Sequence, residues 1–224
     1  MKKLLLISFL MLSVMGFSQE NNALVNVTGK GTVTVVPDRV LIRARIEHSG
    51  QSAAEVKAQN DKVVSEVIKY LKAQNIPAKN IQTEYINLNK DYNYNTKETF
   101  YSANQSISIL LEDISKYEKL MTGLLDSGLN RIDGIQFQSS KKEELESEAR
   151  KKAILDAKEK AEEYAQALGQ QIGKAYSINE QNSGDFPPMY RAMEMKSADS
   201  AGEQTLAPGE MEITVKVNVG FLLL

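Results

Sequence analysis

The sequence predicts an α+β fold: antiparallel or mixed sheets with two long helices, one short helix and a long protruding β-hairpin. Three observations carry this prediction. Apolar and polar residues alternate with a period of two near both ends of the chain, three central stretches have helical spacing, and residues 81–111 alternate again about a turn.

The chain opens "MKKLLLISFLMLSVMGFSQE", two lysines, an apolar run from Leu4 to Val14, and the small residues Gly16 and Ser18. That order is the pattern of a secretory signal peptide, with cleavage expected after Ser18, which places the mature domain at residues 19–224. The apolar run is too short for a comfortable bilayer span, and no later stretch is long enough, so the mature chain is expected to lack a transmembrane segment. Periplasmic or otherwise exported localisation follows from this reading.

In "VTGKGTVTVVPDRV", residues 27–40, two glycines flank Lys30. Neither nucleotide motif is met. A P-loop needs glycine where Leu24 stands and a hydroxyl residue where Gly31 follows Lys30, and the dinucleotide fingerprint fails at Thr34. The stretch reads instead as a strand, with Val25, Val27, Gly29, Gly31, Val33 and Val35 on one face. Glycine in the buried register implies a bend or the close passage of another element. Pro37 and Asp38 then turn the chain.

A second strand follows, with Val40, Ile42, Ala44 and Ile46 opposite Arg43, Arg45 and Glu47. Ser52 and Glu55 form a capping box ahead of a helix that places Val56, Asn60, Val63, Val67 and Leu71 on one side and stops at Asn75-Ile76-Pro77. Residues 81–111 make the hairpin, whose arms of about a dozen residues reach roughly 40 Å. Tyr85, Tyr92, Tyr94, Phe100 and Tyr101 gather on it. Cross-strand aromatic pairing is the plainer account of that cluster, and a subunit interface is the functional one.

The short helix begins after Asp113, uses Tyr117, Leu120, Met121 and Leu124, and ends at Gly128. The third starts with another box, Ser140 to Glu143, and runs to Leu168. It carries Ala149, Ala153, Ala157, Ala161 and Ala165, a row of small residues that lets a helix lie close to its neighbour. Its remaining charges alternate in sign, as on a solvated face. The last strand alternates from Met211 to Phe221. Between these, residues 183–210 read as a Pro/Met-rich loop carrying Pro187, Pro188, Met189, Tyr190, Met193 and Met195.

Composition narrows the chemistry. Without Lys2 and Lys3, the 27 basic residues fall further below the 29 acidic ones, for a net charge of about −4, so the basic face that nucleic acid requires is missing. There is no cysteine and one histidine, His48, which removes Cys/His zinc sites and Cys–His nucleophile pairs. No G-x-S-x-G surrounds a serine, and no carboxylate pair stands apart by spacing. No catalytic residue and no cofactor is assigned, although an unrecognised hydrolase stays open as a remote alternative. Met189, Met193 and Met195 are weak candidates for a Cu(I) site or an oxidant trap, and as readily the filler of a docking loop.

Taken in order, "VTGKGTVTVVPDRV", the capped helix from Ser52, "GLNRIDGIQFQSS", "ALGQQIGK", "PPMYRAM" and "APGEMEITVKVNV" resemble the SIMPL family over almost the whole mature chain. Members include bacterial envelope proteins and a kinase-associated mammalian protein. The resemblance implies an α+β fold with two interleaved lobes, a periplasmic or outer-envelope setting, homo-oligomers that include large ring-like assemblies, and a link to oxidative-stress defence. It supplies no catalytic residue. The departures lie chiefly in the tyrosine-rich hairpin tip. The leading expectation is a non-enzymatic, self-associating envelope protein that uses Tyr92, Tyr94, Phe100 and Tyr101, together with the Pro187–Tyr190 segment, as contact surfaces.

Overall fold

The computed structural model describes residues 23–181, 189–191 and 208–224. The expected leader, residues 1–18, lies outside them. The elements are β1 (Leu24–Val35), β2 (Arg39–Gly50), α1 (Ala53–Ala73), β3 (Ile81–Asn93), β4 (Glu98–Leu111), α2 (Tyr117–Asp126), β5 (Arg131–Gln138), α3 (Lys142–Ala167), β6 (Ile172–Gln181), β7 (Met189–Arg191) and β8 (Glu210–Leu223). They build the α+β architecture read from the sequence. One sheet has the order β3-β4-β2-β5, and the other runs β1-β8-β6 with β7 also on β8. The pairings within β3–β4, β2–β4, β2–β5, β6–β8 and β7–β8 are all antiparallel.

The chain divides into two compact units, each assembled from separated segments. The larger holds, among the described residues, 32–148, 189–191 and 208–214. Its core is the face of β2 that the alternation predicts, with Val40, Ile42, Ala44 and Ile46 at 1% exposure or less, packed with Ile107, Ile109 and Leu111 of β4. Ile42 sits opposite Ile109 on one side and Ile135 on the other. Ile42 and Ile109 are fully buried, and such side chains each contribute about 1.5–3 kcal/mol, whereas Ile135 on the edge strand is 38% exposed. Val67 and Leu71 of α1 and Leu120 and Leu124 of α2 close this layer.

Local signals set the ends of these helices. Ser52 Oγ accepts the Glu55 N–H at 3.4 Å, and Asn75, at φ 59°, takes the chain out of α1 ahead of Pro77. Asp113 accepts the Ser115 N–H at 3.1 Å, starting a 3₁₀ turn, Ile114–Lys116, that leads into α2. Gly128, at φ 96°, follows its end.

The smaller unit holds, among the described residues, 23–31, 149–181 and 215–224. Here Ala149, Ala153, Ala157, Ala161 and Ala165 of α3 are fully buried, as are Val217, Val219 and Phe221 of β8 to within 7%.

Four details differ from the sequence reading. In α1 the buried valines are Val56, Val64 and Val67, whereas Val63 stands at the flank and is partly buried. Ser140 does not cap α3: its N–H and hydroxyl both go to the Asp38 carboxylate, and the helix begins with the Lys141 carbonyl accepting the Leu145 N–H at 2.9 Å. The stretch read as an unbroken loop contains β7, because three extended residues pair with the start of β8, Met189 opposite Glu212 and Tyr190 opposite Met211. On the hairpin, the register puts Tyr92 opposite Thr99, Phe100 opposite Asp91 and Tyr101 opposite Lys90, so no two of these aromatics are directly opposed.

Candidate functional site

The hairpin tip is shaped by its polar residues. Asn93 Oδ1 accepts the N–H of Asn95 at 3.0 Å and of Thr96 at 3.3 Å, a side-chain mimic of a turn, and Lys97 at φ 56° completes the reversal. This fixes Tyr94 outside the sheet. Its ring meets that of Tyr92 edge-on, with centroids 5.1 Å apart and planes at 88°. Tyr94 is 84% exposed and Tyr92 48%. Phe100 and Tyr101, on the second arm, are half-buried. The tip thus presents two rings held by each other, with apolar faces in water and hydroxyls available as hydrogen-bonding groups.

Nearer the base, the solvent face of the sheet carries charge pairs. Arg45 bonds Asp133 at 2.7 Å and lies over the Tyr85 ring at 5.5 Å, Arg131 bonds Glu47 and Asp133, each at 3.1 Å, and Arg43 faces Glu84 at 3.4 Å. Tyr85 therefore belongs to this network and stands apart from the tip pair.

Gly29 and Gly31 lie where β1 meets α3. A Cβ on Gly29 would fall 1.9 Å from the Ala153 carbonyl oxygen and 2.8 Å from Ala157 Cβ, and one on Gly31 would fall 1.9 Å from the Ala149 carbonyl oxygen. No side chain fits there. The same helix bonds the backbone of this edge strand: the Lys30 N–H donates to Asp156 Oδ2 at 2.7 Å, and Lys160 Nζ reaches the Thr28 carbonyl at 3.1 Å and Asp156 at 2.7 Å. Asp156 is held below the usual carboxylate value by the Lys160 hydrogen bond first and the Lys30 N–H second, against a smaller opposing effect of burial. Pro37 is buried at the turn into β2. Asp38 is also lowered: burial pushes its carboxyl upward, but the two bonds from Ser140, its own backbone and the Arg39 charge outweigh that.

Of the other residues singled out, Pro187, Pro188, Met193 and Met195 lie outside the described residues, and Met189 and Tyr190 are placed by backbone alone, in β7. Among the described residues no group of three or more His, Asp or Glu converges into a cation-sized cluster. His48 stands opposite Ala103, with its Nδ1 buried and without a hydrogen-bond partner among the described residues.

Three residues were given no role by the sequence reading, Asn60 having been placed only as a position on the helix face. Asn60, 3% exposed, donates from Nδ2 to the carbonyls of Ile46 and Ala103, both at 3.2 Å, and so ties α1 to two strands at once. Ile86 and Leu88 are 65% and 45% exposed on β3. The available signal was their alternation beside the equally alternating Ala103-Gln105-Ile107.

No helix among the described residues is long and apolar enough to cross a membrane. Residues 25–221 match the model of the SIMPL family, described as a protein of unknown function (DUF541). The chain is 27% identical to the uncharacterized protein YggE of Escherichia coli over 200 residues, covering 88% of this chain and 81% of that protein. It is 28% identical over 225 aligned residues to the 26 kDa periplasmic immunogenic protein of Brucella melitensis, covering 93% and 90%. It is 28% identical to the human interleukin-1 receptor-associated kinase 1-binding protein 1 over 167 residues, covering 72% of this chain and 61% of that protein. With the family model matched from the first strand to the last, this chain belongs to the SIMPL family.

Proposed function

We propose that the protein is a non-enzymatic, exported envelope protein that self-associates through the hairpin tip and serves oxidative-stress defence. The observation that carries self-association is the Tyr92–Tyr94 pair, two rings in edge-on contact and largely in water at the end of a two-stranded arm. Aromatic residues so placed are costly to leave solvated and are enriched among the residues that dominate protein contacts. Export is supported by the order of charged, apolar and small residues in 1–18 and by the periplasmic name of the Brucella relative. The oxidative-stress role rests on the family resemblance alone.

Light scattering on the mature chain tests the first part. A mass several times that of one chain is expected at micromolar concentration, and Tyr92→Ser with Tyr94→Ser should weaken association at least thirtyfold, about 2 kcal/mol for an aromatic anchor, with the circular dichroism unchanged. A monomeric mature chain would refute it. N-terminal sequencing of the exported protein checks cleavage after Ser18, and peroxide survival of a deletion strain, with and without the Tyr92/Tyr94 double variant, checks the physiological role.

A further inference from the structure

Among the described residues, one face of the smaller unit's sheet is open to water, with Asn26, Thr28, Lys30 and Lys216 all exposed. α3 lies against the other face, where Val217, Val219 and Phe221 are buried and a Cβ on Gly29 would meet the Ala153 carbonyl oxygen. Side chains alternate along a strand, so the intervening positions of β1 and β8 stand on the open side. Three contacts fix how the two strands are aligned there. The Leu223 N–H donates to the Ala23 carbonyl at 2.9 Å, Thr28 Oγ1 donates to Asn218 Oδ1 at 2.7 Å, and a Cβ on Gly220 would fall 2.6 Å from Asn26 Oδ1. The residue numbers of each pair have the same sum, so one antiparallel register runs through all three. One step further, it places Lys30 directly opposite Lys216.

Two like charges are thus cross-strand neighbours, with Cβ atoms about 4.5–5.5 Å apart, an arrangement that destabilises a sheet. Nothing on this face of the smaller unit offsets it, since no acidic residue stands there among the described residues. Glu180 points to the α3 side, where it bonds Arg150 at 2.6 Å, and Asp156 at the edge of β1 is held by Lys160 and the Lys30 N–H. Beside the lysines the face is polar and uncharged. Asn218 lies between Thr28 and Asn179, and because its Oδ1 is taken by Thr28, its amide N–H groups are the donors left for a ligand. In the next row Asn26 Oδ1 and Ser177 Oγ close over Gly220, each within 2.8 Å of where a Cβ would stand, so the glycine lets a carbonyl and a hydroxyl converge.

From this we propose that the open face binds an acidic polysaccharide, with a carboxylate of the chain between Lys30 and Lys216 and hydroxyls of the adjoining sugar units on Asn218, Asn26 and Ser177. The lysine pair selects an oxyanion, because one carboxylate accepting from both ammonium groups replaces their repulsion by two charge-assisted hydrogen bonds. The neighbouring rows select the rest of the ligand. Amide and hydroxyl groups offer the mixture of donors and acceptors that sugar hydroxyls require. An open strand surface does not enclose a small anion, whereas an extended chain gains from touching several rows. A protein partner is the poorer occupant, since these rows hold no aromatic or apolar anchor. Two cations on a chain of net negative charge are also too few for nucleic acid. This site belongs to the smaller unit and is independent of the tyrosine tip.

Calorimetric titration of the mature protein with oligogalacturonate, a polyuronate, in low salt tests the proposal. Saturable binding is expected, weakened about tenfold by Lys30→Gln combined with Lys216→Gln and about threefold by Asn218→Ala, with the circular dichroism unchanged. The same oligomer with its carboxylates methyl-esterified should bind about tenfold more weakly and not distinguish the parent from the double variant. The unliganded protein supplies a second readout. Lys30→Gln alone relieves the repulsion and should raise the melting temperature in low salt, by an amount that shrinks as added salt screens the pair. Absence of saturable binding, a double variant with the parent's affinity, or a melting temperature that does not rise in Lys30→Gln would each overturn the proposal. Inorganic polyphosphate bound as tightly as the polyuronate, or polyuronate binding indifferent to Asn218→Ala, would also overturn it, since the face would then read charge and not sugar.

Discussion

At Gly31 an added methyl group would overlap a helix carbonyl, and a carbonyl cannot rotate away as a side chain does. Gly31→Ala is therefore expected to destabilise the protein by about 1–3 kcal/mol and Gly31→Val by more, measured by denaturant unfolding. An alanine variant as stable as the parent would refute this account of the contact. The glycines' place on the packed face was legible in the alternation, but their cause lies more than a hundred residues away in α3, and period-two spacing does not say which element approaches. Asn60 was legible only as a position. Replacing it by leucine keeps the branching and the number of side-chain heavy atoms but strips two carbonyls of their buried donor, so a loss of roughly 1–3 kcal/mol is expected despite the gain in hydrophobicity. Asp156 gives a pH dependence. Its folded pKa lies below the ordinary 3.8, so its bonds add stability above the unfolded value, and that contribution disappears as pH falls through the folded value. Asp156→Asn should lower the melting temperature near neutral pH and narrow its gap to the parent below about pH 3.8, as thermal melts across that range would show.

Among elements, β8 has the widest reach, since it pairs with β1, β6 and β7. Deleting residues 215–224 removes the central strand of the smaller unit and should abolish its cooperative unfolding, read as loss of the calorimetric transition. The strands and helices themselves were legible because each buries one face, from Val40-Ile42-Ala44-Ile46 to the alanines of α3. Helix starts were less so. Ser52 caps α1 as its spacing says, but the similar Ser140 is taken by Asp38, a residue that is distant in sequence and invisible to a local motif. β7 was hidden for a related reason, since three residues hold too little alternation to announce a strand without the partner that pairs with them.

For the whole molecule, association should follow the hairpin tip. Tyr94→Ser alone is expected to reduce the mass in solution, read by light scattering, with the circular dichroism unchanged, and a mass equal to the parent's would refute it. The tip was legible because Tyr92, Tyr94, Phe100 and Tyr101 in a short polar stretch stand out from their surroundings. The exposure of Ile86 and Leu88 was not, because they look like ordinary core until the fold shows where helix cover ends.

The step from Gly29 to Gly31 along β1 is matched by the step from Ala153 to Ala149 along α3. Two strand residues advance about 6.6–6.8 Å. Four helix residues rise about 6.0 Å, and their ridge is inclined about 26° to the axis, which stretches its repeat to roughly 6.7 Å. The two spacings are commensurate, so strand and helix mesh like two racks of equal pitch, and the fit holds over successive teeth only while both repeats are intact. A one-residue insertion in either element shifts every later tooth by a fraction of the pitch that neither can absorb. Such insertions within β1 or α3 should be far less tolerated than substitutions at the exposed positions between the teeth.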